Sequence, residues 1–229
     1  ILVAIIIAGI TAYLVSSVAV KAIDDYYIVI TLGVQIVVFS LLNNWQEVTR
    51  GPLGFAAIPS FDILGFHFDS KVVFLLLSVA FVIIVWTITY KISSSPFGRV
   101  LRALSEDEIY TLSLGKNVNQ SKIVSFVLSG MLAAIAGVLY AHYVSFIDPT
   151  SFTIDESIFI LSIVIVGGMR NLVGIFLAAV FFILLPEALR FVGMPSSIAA
   201  NIRQIMYGIA LVIVIFQMAR SRASIKATR

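Results

Sequence analysis

Residues 1–20, ILVAIIIAGITAYLVSSVAV, contain no charged side chain, and this run constrains the chain more than any other feature. A bilayer core about 30 Å thick takes roughly 20 mostly apolar residues per spanning helix. Within hydrocarbon the backbone must satisfy its own hydrogen bonds, which leaves helices or closed barrels. Further apolar stretches follow at 26–42, 71–92, 122–143, 157–168, 173–192 and 203–218. None alternates strictly in polarity, so they read as helices rather than barrel strands. Composition agrees, with 60% hydrophobic and 12% charged residues and a mean hydropathy of +1.08. An ordinary soluble domain carries about twice that charged fraction. The sequence therefore predicts an all-α integral membrane protein, a polytopic helical bundle of about seven spans. One membrane domain is expected over 1–219, with a basic tail over 220–229.

The first stretch lacks a basic leading segment and does not begin with methionine, so it does not read as a signal peptide. The expectation is that the sequence starts inside a longer protein, with further spans upstream. Orientation follows from the loops, because cytoplasmic loops carry the excess of Lys and Arg. The interval 93–121 and its flanks hold Lys91, Arg99, Arg102, Lys116 and Lys122, and the tail holds Arg220, Arg222, Lys226 and Arg229. Both are expected inside. The intervals 43–70 and 144–156 are mainly acidic and are expected outside. Seven crossings then place residue 1 outside and the C-terminus in the cytoplasm.

The segment 93–121 is too patterned for a plain linker. Pro96 suits the first turn of a helix. At helical spacing Phe97, Val100, Leu101, Leu104 and Leu112 share an arc of about 120°. Arg99, Arg102 and Glu106 lie opposite, and Gly115 suits the position just past a helix end, with Asn117 and Asn119 in the following turn. The pattern predicts an amphipathic helix over 97–113 on the cytoplasmic face. Such a helix anchors at the membrane surface or docks into a groove on a cytoplasmic subunit. The acids Glu106, Asp107 and Glu108 argue against simple adsorption to anionic lipid. Glu108 falls within the apolar arc. Either the helix has ended or bent before it, or its carboxylate snorkels, or that face meets a partner carrying a complementary base.

A second pattern runs through 122–143. Ser125, Ser129, Ala133, Gly137 and Ala141 recur every fourth residue, with Gly130 and Ala134 widening the stripe. Small residues at this spacing let membrane helices approach closely. The run 167–174, GGMRNLVG, separates two apolar stretches. It reads as a tight turn or as a helix broken at a transport site. Polar residues in or beside the spans are Gln35, Asn43, Asn44, Glu187, Arg190, Asn201 and Gln204. Gln35, Asn43 and Asn44 are pathway candidates, although Gln35 equally suits an interhelical hydrogen bond. Glu187 and Arg190 have the spacing of a local pair, Trp45 suits an interfacial aromatic belt, and His142 and Tyr143 sit at a span end.

The absence of cysteine and the presence of only His67 and His142 argue against thiolate or multi-histidine metal sites. No catalytic constellation, cofactor motif or metal site is expected. Gly115-Lys116 does not complete a phosphate-binding GxxxxGK[ST] loop, because Asn117 follows and Tyr110 stands where the first glycine belongs. The chain has no HExxH and no arginine ladder.

Together these residues resemble a known family. The run Ser95–Leu104 (SPFGRVLRAL), then Glu106-Asp107-Glu108, Leu114-Gly115 and Asn117-Val118, is similar to the cytoplasmic loop of branched-chain amino acid ABC transporter permeases. The likeness continues through Ser129–His142, Gly167-Gly168, Asn171-Leu172, Gly174 and Leu185-Pro186-Glu187. Upstream it takes in Asp25-Tyr26-Tyr27, Thr31-Leu32, Asn43-Asn44-Trp45, Thr49, Gly51, Gly54 and Ile58-Pro59. The M-type permease subunit is the better likeness. Arg50 and Arg170 stand where the family commonly has glycine, and Tyr110-Thr111 replaces a small pair.

The resemblance implies an importer with a sister permease subunit, cytoplasmic ATP-binding subunits and an extracytoplasmic solute-binding protein. Its implied solutes are leucine, isoleucine and valine, with ATP hydrolysis in the separate subunit. It places the ATPase-coupling loop at Arg99, Arg102, Glu106, Asp107, Glu108 and Gly115. A urea or short-amide permease of the same family, an ATPase-independent transporter or channel, and a scaffold subunit are the competing readings.

Overall fold

The computed structural model describes residues 1–22, 25–59, 62–63, 66–67 and 70–191, together with Gly208 and Val212. The elements in order are α1 (Leu2–Ala19), α2 (Asp25–Asn44), α3 (Gln46–Thr49), β1 (Phe55–Ala56), β2 (Asp62–Ile63) and β3 (Phe66–His67). There follow α4 (Lys71–Ser94), α5 (Pro96–Glu106), α6 (Glu108–Ser113), α7 (Val118–Val144), β4 (Phe146–Ile147), α8 (Ile154–Gly167) and α9 (Leu172–Phe191). Helices thus occupy six of the apolar stretches. The expected span at 203–218, the basic tail, Asn201 and Gln204, and the side chains of Glu187 and Arg190 lie outside the described residues.

Five segments are long and apolar enough to cross a membrane: Leu2–Ala19, Tyr26–Asn44, Lys71–Ser94, Val118–Val144 and Pro149–Gly167. The chain is therefore an all-α membrane protein, with five such segments and the shorter apolar helix Leu172–Leu184 among the described residues. The fifth reaches its length through the short helical turn Pro149–Ser151 that precedes α8. The α8 helix alone, with 14 residues, is only about 21 Å long.

The chain forms two compact units, Ile1–Phe152 and Thr153–Arg229. In the first, α1 and α7 pack antiparallel along one face. The buried residues of α1 are Gly9, Ala12, Ser16 and Ala19, while Leu2, Ile6, Ile7, Ile10 and Leu14 are more than half exposed. This inverts the pattern of a soluble helix. Large aliphatic side chains face outward, where lipid accommodates them, and small ones form the contact. A Cβ added at Gly130 would lie 2.9 Å from the Ala12 Cβ, and one added at Gly9 would lie 3.2 Å from Met131. Hydroxyls within the spans are satisfied by their own helix. Ser16 donates to the Tyr13 carbonyl at 3.2 Å and Thr11 to the Ile7 carbonyl at 3.0 Å.

At one end of this unit, β1 pairs antiparallel with β4, with Phe55 opposite Ile147 and Ala56 opposite Phe146. The Ile58 amide donates to the Ser145 carbonyl at 3.2 Å, and His142 Nδ1 lies 2.9 Å from the Pro59 carbonyl oxygen. The connections after α2 and α7 therefore meet at the same end. That is the arrangement the loop charges require of 43–70 and 144–156. Arg50 adopts a left-handed backbone, φ 57°, which costs a residue with a Cβ about 1 kcal/mol or more. Its guanidinium sits 5.5 Å from the Phe55 ring centroid, a contact that offsets about 0.5–1 kcal/mol at an exposed site.

The second unit holds α8 and α9 as a hairpin, with Ile163, Ala178 and Phe182 buried between them. The run 167–174 is a tight turn. Gly168 takes φ 87°, and the Asn171 side chain accepts from the Gly174 amide at 3.1 Å, capping α9. Gly167 and Gly174 abut each other's backbone, leaving no room for a Cβ at either.

The α1–α7 contact yields a first prediction. Gly130→Leu forces the two helices apart, and overpacking of this kind costs about 1–3 kcal/mol. Gly137→Leu meets open space within this chain. In detergent, the thermal unfolding midpoint is expected to fall for Gly130→Leu and to stay near wild type for Gly137→Leu. Equal midpoints would remove Gly130 as the point of close approach.

Candidate functional site

The site lies at the opposite end of the first unit from β1 and β4, where α5 and α6 bridge α4 and α7. Each joint is built by local chemistry. Ser95 caps α5 by accepting from the Gly98 amide at 3.2 Å, and Pro96 occupies the first turn. Gly98 is buried directly against the Ile92 and Ser93 carbonyls, which fixes the angle at which α5 leaves α4. The α5 helix ends at Glu106. Asp107 is extended, with φ −155° and ψ 114°, and its carboxylate accepts from the Tyr110 amide at 2.9 Å. Asp107 therefore starts α6. The expected single helix over 97–113 is two helices, because a side-chain acceptor three residues ahead of a free amide offers the backbone an alternative to continuing the first helix.

The break determines where the apolar arc goes. Phe97, Val100, Leu101 and Leu104 are half-buried, whereas Leu112 is exposed on the second helix. Thr111 is fully buried and donates to the Asp107 carbonyl at 2.8 Å. Gly115, with φ 71°, ends α6 in the left-handed conformation, and Asn117 caps α7 by accepting from the Gln120 amide at 3.0 Å.

Glu108 has its complementary base within the chain. Lys122 Nζ, from the second turn of α7, donates to both carboxylate oxygens at 2.8 and 2.7 Å. The side chains are 25% exposed for Lys122 and 43% for Glu108. Of the readings for Glu108, the one in which the helix has ended before it describes the backbone. A base on another subunit is not needed to balance the charge. A pair this exposed is worth about 0.2–1 kcal/mol, below the several kcal/mol of a buried interfacial pair. The pair lies at a cleft of about 380 Å³ whose walls include Tyr27, Leu101, Leu104 and Phe126. Arg99, Arg102, Glu106 and Asp107 are exposed on the surface of the bridge.

The remaining candidates are spread along the spans. Ser125 is half-buried at the cleft, Ser129 and Ala133 are exposed, Gly137 has open space beside it, and Ala141 is half-buried. The close approach to α1 is made at Gly130, one position round from the stripe. Gln35 is half-buried midway along α2. Asn44 donates to the Ser40 carbonyl at 2.8 Å, while Asn43 Oδ1 is buried without a hydrogen-bond partner among the described residues. Lys122 and the α1 face of Gly9, Ala12, Ser16 and Ala19 were missed as contact residues by sequence reasoning. The i, i+3, i+7, i+10 spacing of small residues on α1 was an available signal. The Glu108–Lys122 contact crosses a turn and had none.

Near β4, Asp148 is buried and accepts from the hydroxyls of Ser151 and Thr150. These bonds, that from Ser151 foremost, favour the carboxylate and hold its pKa below the ordinary 3.8, outweighing the opposing effect of burial.

The family described as the permease component of the branched-chain amino acid transport system matches residues 1–215. The high-affinity branched-chain amino acid transport system permease protein LivM of Salmonella typhimurium is 33% identical over 189 residues, covering 72% of this chain and 44% of its own length. A probable branched-chain amino acid transport permease protein LivM from Methanocaldococcus jannaschii is 28% identical over 190 residues, covering 79% of this chain and 54% of its own. The ribose import permease protein RbsC of Haemophilus influenzae is 29% identical over 147 residues, 62% of this chain and 43% of its own. The chain thus spans about half the length of the curated relatives it matches. No solved structure matches it.

Asp148 gives a prediction with a definite sign. Because its folded pKa is lowered, its stabilisation is complete above the unfolded carboxylate value and is lost as pH falls through the folded one. Unfolding midpoints in detergent, compared at pH 5 and pH 3, should drop further for wild type than for Asp148→Asn. Parallel drops in the two proteins would show that this carboxylate contributes no pH dependence.

Proposed function

The chain belongs to the permease family of branched-chain amino acid transport systems, and from that premise we propose that it is a transmembrane subunit of an ABC importer for leucine, isoleucine and valine. The observation that carries the reading is the family match across 1–215, which takes in both the spanning helices and the α5–α6 bridge. In this reading the chain is not itself an enzyme; separate ATP-binding subunits drive transport. A sister permease completes the path, and an extracytoplasmic solute-binding protein delivers the substrate. The bridge, with Arg99, Arg102, Glu106 and Asp107 at its surface, receives the ATPase subunit. Exposed members of the α7 stripe, Ser129 and Ala133, serve as packing positions for further helices. Gln35, Asn43 and Asn44 remain the pathway candidates, and the orphaned Asn43 oxygen is the one with an unmet hydrogen-bonding demand.

Hydrolysis by the assembled transporter tests this reading. With the full permease, its sister, ATPase subunits and binding protein in liposomes, leucine, isoleucine and valine should each stimulate ATP hydrolysis and enter the vesicles. Stimulation by urea or short amides in their place would assign the alternative solute class. Uptake without any ATPase subunit would sink the importer reading.

The same reading orients the bundle, with the α5–α6 bridge and the C-terminus in the cytoplasm and the β1–β4 end outside. The chain has no cysteine, so single thiols report cleanly. An impermeant reagent applied outside should modify Thr150→Cys and leave Ser94→Cys and Ser221→Cys untouched. Reaction at Ser94→Cys but not at Thr150→Cys would invert the orientation.

A further inference from the structure

The α5–α6 bridge is held at both ends. At its start, Gly98 is packed on the Ile92 and Ser93 carbonyls and Ser95 donates to the Ile92 carbonyl at 2.6 Å. At its far end, the Glu108 carboxylate is gripped through both oxygens by Lys122 of α7. Between these points the backbone is extended at Asp107, so α5 and α6 are separate rods meeting at one residue. A displacement of α5 can change the angle at Asp107 without breaking a helix. It reaches α7 through the 114–117 connection and through the contacts that α4, α5 and α6 make with α7, of which the Glu108–Lys122 pair is the charged one on α6.

Lys122 lies on the same helix as Gly130, which is seated on Ala12 of α1. A push at residue 122 therefore acts on the rod that carries the tightest helix contact of the unit. The pair is well suited to a joint. One ammonium holds both carboxylate oxygens, so the pair resists separation while leaving rotation about the point charge free. It is half-exposed, so it contributes little to overall stability and can be remade within one conformational cycle. The neighbouring cleft of about 380 Å³ leaves α6 room to move relative to α1 and α2.

We propose that the Glu108–Lys122 pair is a positioning joint that carries displacement of the α5–α6 bridge into α7. This rests on the reading above, in which the bridge receives an ATPase subunit. Glu108 and Lys122 act through the helices they connect and touch neither nucleotide nor solute.

The test uses the assembled transporter with Glu108→Lys, Lys122→Glu and the two exchanged together. Each single reversal places like charges together and should lower leucine-stimulated hydrolysis by about twofold to fivefold, the equilibrium effect of losing one exposed pair, while the ATPase subunit still copurifies. A thiol placed by Thr111→Cys, at the buried position of α6, read in inside-out vesicles, should label faster in each single variant. The exchanged variant should restore both readouts, which assigns the losses to the pair rather than to either charge alone. Wild-type stimulation in the single variants, even with faster labelling, would make the pair a static brace and overturn the joint. Failure of the exchange to restore stimulation would also overturn it, because each charge would then act through other contacts. Absence of stimulation in the wild-type complex would strike the proposed function, and is distinguished by appearing before any substitution is made.

Discussion

The close approach of α1 and α7 is the contact on which the rest of the first unit depends. In lipid the hydrophobic effect gives two apolar helices no reason to associate, so contact energy comes from packing at short range. Gly9, Ala12, Ser16 and Ala19 on one helix and Gly130 on the other supply that range by presenting almost no side chain. Once the helices are set, both ends of the unit follow. The chain leaving α7 meets the chain leaving α2 in the β1–β4 pair, while the chain entering α7 is tied to the α5–α6 bridge.

The two ends use different chemistry. The β1–β4 end is closed by backbone hydrogen bonds, a buried Asp148 with two hydroxyl donors, and a left-handed Arg50 beside Phe55. It is built to hold one arrangement. The bridge end is assembled from helix caps and a half-exposed ion pair. Caps fix where helices begin and end, while the angle between them stays open to change.

The polar groups of the bridge divide accordingly. Asp107 is consumed by capping, and Glu108 by its bond to Lys122. Arg99 and Arg102 stay at the surface of α5. A run of acids that reads in sequence as one charged face is thus a helix breaker, a joint and a surface charge, set by the direction of each Cα–Cβ bond after the backbone turns at residue 107.

Long uncharged runs fixed the membrane and the helices, because the bilayer thickness and the demand for internal hydrogen bonds leave little else. Pro96, Gly115 and the GGMRNLVG turn were also legible, since capping and turn chemistry act over a few neighbouring residues, whereas Asn119, expected in a turn, lies in the first turn of α7. The boundary at Asp107 was hidden because an amphipathic pattern carried across it, and only the competition between the carboxylate cap and helix continuation decided it. The pairing of Glu108 with Lys122, and the choice of Gly130 over Gly137 as the point of contact, were decided by tertiary structure alone. Both depend on the rotation of α7 about its own axis. Small residues occur on several of its sides, so periodicity states that a close approach is possible, and only the position of α1 selects the side.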